Sequence, residues 1–121
     1  LHTKQAFFNH LVAAGIVIQV PTFARVEVAC ALARKLRNSV QGERLAILVF
    51  KTAGAKEHPV DSMLLAKSLA LGTIKFLRGA DAMYSATAEI VGCALVSWDK
   101  EHLNRADALT PDDWLVANPL P

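Results

Sequence analysis

Two short apolar runs, "IVIQVP" at 16–21 and "CALVSW" at 93–98, constrain the fold more than any other feature of this chain. Each is too brief for a stable helix and has few polar residues on either face, the pattern of a strand buried on both sides in a parallel sheet. Parallel strands need crossover connections, and the remaining segments supply helices for them. "TKQAFFNHLVAAG" places Phe7, Leu11 and Ala14 at helical spacing and stops at Gly15. Thr22 is placed to cap "FARVEVACALARKLRN", with Val26, Ala29, Ala33 and Leu36 as its apolar face. "QGERLAILVFKTAG" is a further helix, "AKEHPV" an extended connector, and Asp61 caps "SMLLAKSLALG", which Gly72 should end. "RGADAMYSATAEIVG" and "KEHLNRA" are helical, the latter capped by Asp99. Thr110, Pro111 and Asp113 make a helix start for "PDDWL". Strands alternating with helices predict an α/β layered fold around a parallel sheet.

Length and composition bound the rest. A chain of 121 residues, 53% hydrophobic and 20% charged, suits one domain over 1–121 that folds by burial. A formal charge of +2 neither requires nor opposes a nucleic-acid partner. Cys30 and Cys93 lie in apolar stretches without zinc or disulfide spacing, and are expected as reduced core residues of a cytoplasmic protein. "LVAAGIVIQV" is about half the ~20 residues of a membrane span, so no membrane association is expected.

Sites in open α/β sheets gather at the carboxyl ends of the strands. Three acids are placed there: Glu27 in the helix after "IVIQVP", Asp81 at the start of the helix before "CALVSW", and Asp99 directly after that run. Crowded carboxylates suit a hard cation such as Mg²⁺ or Mn²⁺. Each also has an ordinary reading: Asp99 as a helix cap, Asp81 as a helix-start charge, Glu27 on a solvated face.

The order and spacing of "VPTFARVEVACALARKL", "LRGADAMYSATAEIVGCALVSWDKEHLNRA" and "LTPDDWL" closely resemble the PIN-domain family, in particular the VapC-type ribonuclease toxins of bacteria and archaea. The resemblance implies a three-layer α/β/α sandwich with Glu27, Asp81 and Asp99 as metal ligands and catalytic acids, and Ser97 as the hydroxyl residue organising the site. It implies hydrolysis of RNA phosphodiester bonds with Mg²⁺ or Mn²⁺, a cognate antitoxin as protein partner, and a homodimer. Arg78, Lys100, His102 and Arg105, nearest the acids in sequence, are the candidates for contacting RNA phosphates. The family also has a central first strand ending in aspartate, which this sequence lacks before its first helix. The expectation is a truncated chain, with a gap between "IVIQV" and "ALVSW" where about one strand plus a loop would lie. The rival reading is a non-catalytic module of the same fold that binds RNA or protein through an incomplete metal site. Trp98 is expected to pack on a helix, although a strand-end tryptophan can also stack a base.

Overall fold

The computed structural model describes residues 4–120. Its elements run α1 (Lys4–Ala13), β1 (Gln19–Pro21), α2 (Phe23–Leu36), α3 (Ser39–Ala53), β2 (Lys56–His58), α4 (Ser62–Lys75), α5 (Gly79–Val91), α6 (Lys100–Arg105) and α7 (Pro111–Ala117). This is a mostly helical α/β protein with a small parallel sheet of two strands, in which Gln19 pairs with Lys56 and Pro21 with His58. The connector "AKEHPV" thus contains a strand, β2. Its short polar sequence "KEH" hides it from a search for apolar runs. The run at 93–98 contributes one isolated parallel bridge, Val96 to Leu109, where a full strand was expected.

Helix ends follow local chemistry. Asn38, Asp61 and Thr110 cap α3, α4 and α7 by accepting from the backbone N–H groups of Gln41, Leu64 and Asp113. Thr22 lies in right-handed helical geometry and makes no side-chain cap, because the turn after Pro21 leads straight into α2. Gly72 does not end α4; the helix runs on to Lys75 and closes at Phe76 in the left-handed region. Gly72 serves packing instead, since a Cβ there would lie 2.9 Å from the Cβ of Ala82 on α5.

Two helix pairs make up much of the body, α2 against α3 and α4 against α5. Gly42 lets α3 approach α2 so closely that an added Cβ would meet the Ala33 Cβ at 2.6 Å. The expected face of α2 is kept in part: Ala29 and Ala33 are half-buried, as are Val28 and Leu32, and Ala24 is buried, whereas Val26 and Leu36 at its ends are exposed. Cys30 and Cys93 are exposed free thiols and not core residues. A separate cluster joins Phe7 and Leu11 of α1 to Leu115 of α7, with Ile18, Val96 and Trp114 against it.

The 16–20 and 93–97 segments are not paired with each other. Ile18 accepts from Lys56 N–H and Thr22 N–H donates to His58, each at 2.8 Å. A parallel strand directs alternate residues to opposite neighbours, so the main-chain groups of Val17 and Gln19 turn away from β2. Likewise Leu95 and Ser97 bond to Leu109, which turns Ala94 and Val96 the other way. Between these two edges lies a mainly apolar cleft of about 370 Å³, lined by both and by Phe7, Phe8 and Leu11 of α1.

Candidate active site

The site lies where β1 runs into α2, where the Val96 bridge runs into α6, and where α5 begins. Asp81 falls in the first turn of α5, where unpaired amides and the helix dipole favour a carboxylate. It does more than relieve the helix end. The Asp81 Oδ1 lies 2.6 Å from Nε2 of His102, and the other ring nitrogen, Nδ1, lies 2.9 Å from Ser97 Oγ. An ionised carboxylate only accepts, so Nε2 carries a proton and donates to Asp81. Ser97 Oγ in turn accepts from the backbone N–H of Asp99 at 2.9 Å. The His102 and Asp81 side chains keep 13% and 21% of their exposure, enough shelter for these bonds to fix both groups.

Glu27 enters from the second turn of α2. Its Oε1 accepts from the hydroxyl of Tyr84 at 2.6 Å. Tyr84 lies one turn after Asp81 on α5, so both side chains leave the same face. The Tyr84 ring sits 6.4 Å from that of His102, which brings Glu27 to the edge of the same cluster. Burial raises the Tyr84 hydroxyl far above its usual range, and the neighbouring Glu27 and Asp81 carboxylates reinforce the shift.

The predicted residues therefore divide. Asp81, Ser97, His102 and the Asp99 backbone form one hydrogen-bonded chain, with Glu27 joined through Tyr84. Arg105 is spent elsewhere, donating to the carbonyl of Phe76 at the end of α4. Arg78 and Lys100 are exposed. His102 was expected at the RNA-facing rim and lies instead between two site residues. Tyr84 is a site residue that the sequence reading did not single out; its spacing of three from Asp81 is the signal that it shares the acidic face.

The donors are carboxylates and hydroxyls, the class a hard cation takes. They are short in number: among the described residues no group of three or more His, Cys, Asp or Glu is arranged to hold a metal ion. Glu27 and Asp81 each already engage one oxygen with a protein donor.

No family model matches this chain, and no curated protein matches it significantly. Among the described residues no helix is long and apolar enough to cross a membrane.

Proposed function

We propose that this domain is a PIN-like endoribonuclease that hydrolyses RNA phosphodiester bonds, of the VapC toxin type, and that its acidic end is the catalytic site. The observation that carries the reading is the Asp81–His102–Ser97 chain, extended by the Asp99 N–H, at the carboxyl ends of both strand segments. Asp81 of α5 is thereby joined to the 97–102 segment twenty-one residues on at His102, and Glu27 of α2 reaches the same locus through Tyr84.

Within it, His102 engages one oxygen of the Asp81 carboxylate. Tyr84 does the same for Glu27. Ser97 fixes the turn that carries Asp99. A resident Mg²⁺ or Mn²⁺ would supply an activated water and charge stabilisation for in-line attack on phosphorus. Glu27, Asp81 and Asp99 are the residues that would hold it. The exposed apolar side chains of Leu69 and Ile74 on α4, with Phe76 beyond it, suit cover by an antitoxin or a second copy.

The test is cleavage of single-stranded RNA by the protein. Activity with Mg²⁺ or Mn²⁺ that stops with EDTA is expected. RNA binding without cleavage under every metal condition would favour the non-catalytic module, which the shortage of metal donors supports.

A further inference from the structure

The end of α2, "ARKLRN", places Arg34, Lys35 and Arg37 within four residues of sequence. All three are exposed, and among the described residues none enters an ion pair. Residues 30–53 hold two further cations, Arg44 and Lys51, against a single acid, Glu43, in a chain whose whole excess is +2. The negative end of the α2 dipole steadies this concentration of charge. Two other arginines are already engaged: Arg25 is paired with Glu57 and lies 6.0 Å from the Phe50 ring centroid, and Arg105 donates to the Phe76 carbonyl. Glu27, Cys30, Ala31 and Arg34 recur at spacings of three and four, so they share one face of α2, and all four are exposed. That face runs from the candidate catalytic acid to the basic end over about 10 Å, roughly three nucleotides of a stacked strand. The residues between, Cys30 and Ala31, are small, so a chain laid along the helix is not lifted off it.

From this placement we infer that the exposed face of α2 is a track for the RNA backbone, with Arg34, Lys35 and Arg37 holding phosphates on one side of the scissile bond. The inference rests on the ribonuclease reading and says where substrate is held. Carboxylates repel a polyanion, so a nuclease site built on them needs cations within a few nucleotides, and the end of α2 supplies three that the fold leaves unpaired. An acidic protein segment would also match the charge. Continuity with Glu27 along a single helix face favours the molecule on which that acid would act.

The probe is octauridylate with 2′-O-methyl sugars, which resists cleavage, titrated against the protein at several salt concentrations. The triple variant Arg34→Gln, Lys35→Gln, Arg37→Gln should bind more weakly and lower the salt slope by about two, the value for three phosphate contacts on a single strand. The double variant Arg34→Lys, Arg37→Lys keeps the charge and should keep the slope. Cys30 gives an independent readout in the unaltered protein, because its free thiol lies on the track, whereas the free thiol of Cys93 lies beyond the end of α5 opposite Asp81. Saturating octauridylate should slow alkylation of Cys30 several-fold and leave that of Cys93 unchanged. An unchanged slope in the triple variant, or an unprotected Cys30, overturns the track, while RNA cleavage by the same protein keeps the nuclease reading. Wild-type protein that neither binds octauridylate nor cleaves RNA overturns both. Equal protection of Cys30 by poly-L-glutamate would assign the face to an acidic protein and overturn the track.

Discussion

His102 decides the character of the acidic end, because it is hydrogen-bonded to both Asp81 and Ser97. His102→Leu leaves a sheltered carboxylate oxygen and a hydroxyl without this partner, and should lower stability by about 1–3 kcal/mol, measured by denaturant unfolding. Tyr84 offers a second test, since it is the single tyrosine in the chain. Burial beside Glu27 raises its folded-state value, so above the ordinary tyrosine value of about 10 the unfolded chain releases a proton that the folded one keeps. Its contribution to stability is full below that pH and lost as pH rises toward the raised folded value. Absorbance titration at alkaline pH should show tyrosinate appearing together with unfolding; free titration near 10 in the folded protein would show that the Glu27 contact does not form. Neither role was apparent from composition. Asp81 and Ser97 could be placed by their position at element ends, but the pairing of His102 with Asp81 spans twenty-one residues and depends on how α6 turns back on α5.

The helices were readable where period and caps agreed, as at Asp61 before α4 and Thr110 before α7. The strands were not. β2 is three polar or charged residues, and the 93–98 run, which looks like a strand by composition, has only one bridging partner because a strand is made by its neighbours as much as by its residues. Glycines misled for a related reason: Gly72 looked like a stop and is a packing site. The closest approach is Gly42 on Ala33, where both side-chain and backbone atoms stand in the way. Gly42→Ala should therefore destabilise by about 1–3 kcal/mol through separation of α2 and α3. Gly79→Ala, at the open start of α5 with nothing within 4 Å, should be neutral or stabilising by up to about 1 kcal/mol. Thermal unfolding of the two variants side by side checks the contrast, and equal effects would refute the account of the α2/α3 contact.

Across the whole molecule, the cleft and the acidic cluster are both built by the segments around β1 and the Val96 bridge. Main-chain groups of Val17, Gln19, Ala94 and Val96 face the cleft, whereas the N–H of Thr22 bonds to β2 at His58 and those of Ser97 and Leu109 bond within the isolated Val96–Leu109 bridge. In the 121-residue chain, hydrogen exchange should be fast at the first set and slower at the second, and protection of both sets alike would mean that the two edges pair directly. The acidic end itself was marked in the sequence by three carboxylates at the ends of elements, but its linkage through His102 and Tyr84 required the folded chain. That the acids serve RNA hydrolysis is tested most directly with Asp81→Asn, which keeps the size and an acceptor for His102 while removing the charge. RNA cleavage by the variant should fall by orders of magnitude with little change in the melting temperature. Full cleavage with a lowered melting temperature would make Asp81 a helix-start charge worth about 0.3–1 kcal/mol and contradict the nuclease reading.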